Sequence, residues 1–245
     1  MQKYTHMPET QYLIGGGIAL VAIIVFLITL FNFFALWHRA NMCGIPICVF
    51  TLIHWQLLKI PIGLIIDSAI LARKSELVLD VNNLVAHHLA GGNVKHVVLA
   101  LIEAEKEGIA LTFNRACAID LATKGTERNV LEAVRTSINP KVIDWPNPFS
   151  GRSMIDAIAR DGSVVKVKAR ITVHSNLDRF IGGADEDTLV TRVGDGILVA
   201  IGALPSCEDV LDNPDSIEKL VLNMGLDNGT AFDILSVDIS LRPSF

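Results

Sequence analysis

"MIDAIARDGSVVKVKARITV", residues Met154 to Val173, is the stretch that decides the fold. Val165, Val167, Ala169, Ile171 and Val173 fall on one side of an extended chain. Lys166, Lys168, Arg170 and Thr172 fall on the other, a strict period of two. Asp161-Gly162 supplies the turn of a hairpin that has one buried and one wet face. The surrounding segments have helical periods instead, so the class is α+β, with an antiparallel hairpin at the centre of the body.

After the hairpin, "GADEDTLVTRVGDGILVAIGAL" places Asp185, Glu186 and Asp187 where a helix N-terminus favours negative charge. Leu189, Val193, Ile197 and Ile201 then repeat every four residues. Ser206 to Asp209 has the form of a capping box, and Asn213-Pro214 opens a helix carrying Ile217, Leu220 and Val221 that closes at Gly225. "AFDILSVDISLRPSF" ends the chain, with Leu235, Val237 and Ile239 alternating against Ser236 and Asp238 as a closing strand. This second domain covers residues 154–240, followed by a tail, 241–245.

Before the hairpin, Pro140, Pro146, Pro148, Ser150 and Gly151 mark residues 140–153 as a linker. Residues 75–139 form a helical subdomain. Glu76–Leu89 is its first helix, and Asn93 caps a second whose stripe is Val94, Val97, Val98, Leu101 and Ile102 and which Gly108 stops. A third runs through Phe113, Ala116, Cys117 and Leu121. The fourth holds Val130, Leu131, Val134 and Ile138.

The chain has 245 residues, 51% of them hydrophobic, and the apolar excess is concentrated in the first 72. After a tail, 1–11, residues 12–37 read "YLIGGGIALVAIIVFLITLFNFFALW" without a charge. As a helix this run is about 39 Å long, enough to cross a hydrocarbon core of roughly 30 Å. Tyr12 and Trp37 stand at its ends as interfacial anchors. The run is too long for a signal peptide and no cleavage site follows it, so it reads as a retained anchor. Lys3 and Glu9 offset one another before the span, whereas Arg39, Lys59, Arg73 and Lys74 follow it, which puts the body in the cytoplasm. Residues 43–72 form a second apolar stretch. Pro46 and Pro61 leave about 14 residues between them, roughly 21 Å of helix. It reads as an interfacial or re-entrant piece with Trp55 as its anchor. The alternatives are a buried core helix or a short second span. Cys43 and Cys48, beside the membrane, are candidate sites of reversible lipidation.

Net charge is −5 with no basic cluster, which argues against nucleic acid as a partner. No phosphate loop, dinucleotide fingerprint, nucleophile elbow or zinc spacing is present. His87-His88 point about 100° apart on a helix and cannot clamp one metal. The reading is a non-enzyme with no cofactor and no metal.

Four blocks carry a resemblance: "HLAGGNVKHVVLALIEAEKEGIALTFNRACAIDLA" from His88, "VLEAVRTSINPKVI" from Val130, "VVKVKARITVHSNLDRFIGGADEDTLVTRVGDGI" from Val164, and "NGTAFDILSVDI" from Asn228. Together, in order over most of Leu84 to Ile239, they resemble the bacterial flotillin-like protein A family, within the stomatin/prohibitin/flotillin (SPFH) superfamily. The resemblance implies a bacterial cell-membrane scaffold that homo-oligomerises and gathers lipids and client membrane proteins into raft-like microdomains. It also implies an influence on membrane fluidity, without catalytic residues. The second domain would be the SPFH domain. The prohibitin branch suggests the alternative of a regulatory subunit of a membrane protease, and a tethered enzyme with an unrecognised site is a third reading. Three places depart from the family pattern: "TKGTERN" (Thr123–Asn129), "WPNPFSGRS" (Trp145–Ser153), and "LRPSF" where the family continues into an Ala/Glu-rich coiled coil. The expectation is that assembly through such an arm is weak or absent.

Overall fold

The computed structural model describes residues 9–126 and 128–243, with the side chains of residues 9–16, 22, 29 and 149 outside that description. The helices, in chain order, are α1 (Glu9–Met42), α2 (Val49–Leu57), α3 (Ile62–Lys74), α4 (Val81–Leu89), α5 (Val94–Lys106), α6 (Phe113–Ala122) and α7 (Val130–Ile138). There follow β1 (Lys141–Trp145), β2 (Ile155–Ile158), β3 (Val164–Ser175), α8 (Glu186–Ala203), α9 (Cys207–Asp212), α10 (Pro214–Asn223) and β4 (Phe232–Pro243). Two compact units result, Met1–Val98 and Leu99–Phe245, so the division falls inside α5.

In the second unit every strand pairs with β3. β4 runs antiparallel along one edge of it, from Ser175↔Phe232 to Val165↔Pro243. β1 and β2 share the other edge end to end, with Trp145 opposite Ala169 and Ile155 opposite Val167. The expected alternation of β3 is present: Val165, Val167, Ala169, Ile171 and Val173 are buried, while Lys166, Lys168 and Arg170 are exposed. The turn to β2 closes with Gly162 N–H donating to Ala159 O at 3.0 Å and Ser163 N–H donating to the Asp161 carboxylate at 2.9 Å. Gly162 takes a φ of +86°, a conformation that glycine adopts without a Cβ clash.

Onto the buried face pack α8 and α10. Leu189, Val193, Ile197 and Ile201 of α8 are fully buried, as are Ile217 and Val221 of α10. Each such side chain contributes roughly 1.5–3 kcal/mol by leaving water. Asp185 caps α8 by accepting from Thr188 N–H at 2.9 Å, and the Thr188 side-chain and backbone donors hold its carboxyl below the usual range. Gly194 and Gly196 serve close packing, since a Cβ at Gly194 would lie 2.3 Å from the Trp145 indole nitrogen and one at Gly196 would lie 2.7 Å from Leu226. At Gly183 a Cβ would meet the Arg179 and Ala231 backbones, which bridge the β3–α8 loop to the start of β4. The Asp233 carboxylate ties that loop down. It accepts from Asn176 Nδ2 at 2.8 Å and pairs with Arg179 and with His174.

Several expectations are corrected. Residues 140–153 are not simply a linker, because "KVIDW" is the edge strand β1. The flanking prolines mask its alternation of Val142, Asp144 against Ile143, Trp145. The closing strand continues into the expected tail as far as Pro243. Leu235 is not on the buried face: a bulge between Thr172 and Val173 pairs Ser236 with the first and Ile234 with the second, so Leu235 has no cross-strand partner and is 48% exposed. The bulge shifts the phase by one, which returns Ile234 and Phe232 to the side of Val237. Leu220 also faces outward. The first body helix starts at Val81, not Glu76, with the Asp80 carboxylate accepting from Asn82 N–H at 2.9 Å.

The bulge yields a test. Leu235→Ser is expected to change stability by no more than about 0.5 kcal/mol. Val237→Ser buries a hydroxyl in the core and is expected to cost at least about 2 kcal/mol in denaturant unfolding.

Candidate membrane-facing site

Helix α1 extends beyond the expected span of 12–37 at both ends, from Glu9 to Met42. From Gly17 to Met42 it is 26 residues long and apolar enough to cross a membrane, and the rest of the protein buries none of its apolar window. Between Ile18 and Phe34 most of its described large apolar side chains are 47–72% exposed, Phe33 being half-buried. At roughly 0.3–0.6 kcal/mol per Leu, Ile, Phe or Val near a bilayer centre, transfer of this surface to lipid is worth on the order of 5 kcal/mol. Tyr12 belongs to the helix, but its side chain lies outside the described residues, as does that of Thr29.

The end of α1 is locked to the segment that leads into α2. Ile45 N–H donates to Ala40 O and Gly44 N–H to Asn41 O, both at 3.0 Å, and Gly44 has a φ of +71°. This is a Schellman closure, which needs a left-handed residue at the position of Gly44. The Trp37 indole N–H donates to Ile47 O at 3.0 Å, and the Trp37 ring lies 5.7 Å from Phe34. Arg39, in the last turn, pairs with Asp67 of α3 at 2.5 Å. Trp37, expected as an anchor, is thus half-buried with its polar atom engaged by protein.

The stretch 43–72 is not one interfacial piece. It folds as α2 and α3, separated by Leu58–Pro61, and most of α3 is buried inside this unit. Ile65 and Ile66 are fully buried and Ser68 is 4% exposed. Trp55, expected at the headgroup level, is also 4% exposed, packed within the protein. Pro61 is the N-cap of α3 and Pro46 lies two residues before the N-cap of α2, Cys48, and the i, i+3, i+4 repeat of Ile62, Ile65, Ile66 and Ala69 is the signal for a protein-facing stripe. Around α2, α3 and the segment Leu77–Asn82 runs a groove of about 670 Å³, with Ile45, Ile47, Trp55 and Leu77 among its apolar walls and Arg73 and Asp80 as its charged residues.

α2 and α3 end in the same closure as α1, but without glycine. Ile60 N–H donates to Trp55 O and Leu77 N–H to Ala72 O, each at 3.0 Å, around Lys59 (φ +57°) and Glu76 (φ +64°). A non-glycine residue held left-handed costs about 1–2 kcal/mol. Cys48 is exposed beside this groove and Cys43 is half-buried. Elsewhere, burial, aided by the Asp120 carboxylate, pushes the Cys117 thiol up to about 11.

The displaced titrating groups otherwise sit in turns, caps and ion pairs. Asp161 is lowered by Ser163, Asp185 by Thr188, and Arg135 is raised by its two-pronged pairing with Glu103 at 2.7–3.1 Å. His87 is buried with its ring against Gly92, and among the described residues no three His, Cys, Asp or Glu side chains converge on a metal position. The geometry assembles a membrane attachment.

With that geometry in place, comparison with known proteins is specific. A family model described as flotillin-like protein FloA matches residues 17–241. The chain is 51% identical over 228 residues to a flotillin-like protein FloA of Opitutus terrae, covering 93% of this chain and 67% of the relative. It is 48% identical over 233 residues to one from Dictyoglomus turgidum, with coverages of 93% and 67%. To one from Staphylococcus aureus it is 47% identical over 222 residues, with 90% and 64% covered. The chain thus spans about two thirds of the length of the relatives it matches.

Two outcomes test this arrangement. Lys59→Gly and Glu76→Gly are each expected to raise stability by about 0.5–1 kcal/mol in thermal unfolding of the detergent-solubilised chain, because glycine relieves the left-handed strain. In maleimide labelling at pH 8, Cys48 is expected to react first. Cys117, with only about 0.1% thiolate at that pH, is expected to stay unlabelled until the chain unfolds, when its acidity returns to normal.

Proposed function

The chain belongs to the flotillin-like protein FloA family, and on that premise we propose that it is a membrane-anchored scaffold. It homo-oligomerises, gathers lipids and client membrane proteins into raft-like microdomains, and alters membrane fluidity. The observation that carries this reading is α1: a helix of spanning length whose apolar window the rest of the protein leaves unburied, tied at its end by Gly44, Trp37 and Arg39 to a compact helical unit. A membrane association follows from family and helix together. Arg39, Lys59, Arg73 and Lys74 all follow the span, which supports a cytoplasmic body. The reading gives the protein no catalytic role. Coupling to lipid order comes from the stiffness of the attachment: a rigid helical unit at the base of a span limits the tilt with which the span can adapt to bilayer thickness.

The test uses the full chain. After mild detergent extraction the particle mass is expected to be a multiple of the 26.6 kDa protomer. In reconstituted vesicles, the generalised polarisation of a membrane-order dye is expected to change with protein density. A dispersed protomer together with unchanged lipid order refutes the scaffold. Selective co-purification with a protease whose substrate turnover changes on deletion supports the protease-regulator reading instead.

A further inference from the structure

Between β1 and β2 the chain leaves the sheet for "PNPFSGRS", residues Pro146 to Ser153, and returns to the same edge of β3. Asn147, Pro148 and residues Ser150 to Ser153 of this excursion are exposed. It stands over the wet face of the sheet and walls a cavity of about 400 Å³, large enough for a small organic ligand. The single turn at Pro148–Ser150 and the rings of Pro146 and Pro148 hold that wall in shape, with Trp145 at its base.

The charge inside the cavity follows from the register. Arg170 faces Asp144 on one side and Asp238 on the other, and its guanidinium is 3.6 Å from the Asp144 carboxylate. Lys166 faces Asp156 and Arg242. Lys168 lies between them, at the gap where the chain has looped away, so its single cross-strand neighbour is Ser240. Arg152 comes from the excursion itself. Among the described residues neither Lys168 nor Arg152 has an acid within salt-bridge distance. Three cations therefore line the cavity against one carboxylate, that of Asp144, with the hydroxyls of Ser153 and Ser240 beside them.

We propose that this cavity is a binding site for a small phosphate ester, with Lys168 and Arg152 as its charge partners. A tetrahedral dianion matches the excess of two positive charges. It also offers several acceptor oxygens to donors arriving from different directions, which a planar carboxylate of single charge does not. The apolar wall of Pro146 and Pro148 receives the organic part of the ester. A soluble phosphate monoester carries that dianion, and the phosphodiester of an anionic phospholipid headgroup offers the same tetrahedral acceptor oxygens with one negative charge. The site is independent of the scaffold reading, because it concerns the sheet alone.

Native mass spectrometry of the detergent-solubilised full chain separates these cases, with sn-glycerol 3-phosphate in one arm and phosphatidylglycerol against phosphatidylcholine in the other. Retention of glycerol 3-phosphate, weakened roughly tenfold or more by Arg152→Gln and by Lys168→Gln, supports the site with a soluble source. Retention of phosphatidylglycerol alone, lost in the same two variants, supports it with a headgroup source. Lys166→Gln removes an equal charge one pair along the same face and is expected to leave binding unchanged. The proposal is overturned if neither ligand is retained, if the two variants bind as well as the parent chain, or if Lys166→Gln weakens binding as much as Lys168→Gln. All three substitutions are at exposed positions, and unchanged unfolding transitions establish that each variant is folded.

Discussion

The second unit depends on one constraint, that β3 is the sole strand to which the others pair. Its five buried apolar side chains set the floor of the core, and its backbone bonds β4 on one edge and β1 with β2 on the other. A one-residue slip of β3 would send every apolar side chain to water. The alternation therefore fixes the register of the sheet and the face on which α8 and α10 must land. It also fixes which face stays charged, and so where Lys166, Lys168 and Arg170 can meet anything outside the protein.

Closing devices limit how far that sheet can extend. α10 lies against β4, and the Glu218 carboxylate accepts from Ile239 N–H at 3.0 Å, which occupies a backbone donor on the outer edge. A side-chain acceptor on an edge strand reduces the edge's capacity to pair with another chain. The bulge at Leu235 adds local twist in the same strand. On the opposite edge the proline-rich excursion interrupts pairing between β1 and β2.

In the first unit the recurring device is the helix terminator. α1, α2 and α3 end in the same pair of backbone bonds, around Gly44, Lys59 and Glu76, and the chain re-enters sharply each time. Such closures hold a long apolar helix at a defined angle to the short helices beneath it. The two non-glycine positions are strained locally, and packing of Ile60, Ile62 and Leu77 around them sustains the strain.

Much of this is legible in the sequence because it rests on local periodicity and capping chemistry. The strand alternation from Val165 to Val173, the stripe of Leu189, Val193, Ile197 and Ile201, the caps at Asn93, Asp185 and Ser206, and the apolar run of α1 are all properties of residues near one another in the chain. The tertiary structure alone decided whatever depends on a partner. Leu235 turned outward because the bulge is a mismatch between two strands, which no single strand displays. Trp55 and α3 turned inward because apolar residues are satisfied equally by lipid or by protein, and only the neighbouring helices choose. "KVIDW" became a strand because β3 offered an open edge. The excursion after it, unusual as sequence, became the wall of a charged cavity once the register left Lys168 without an acidic neighbour.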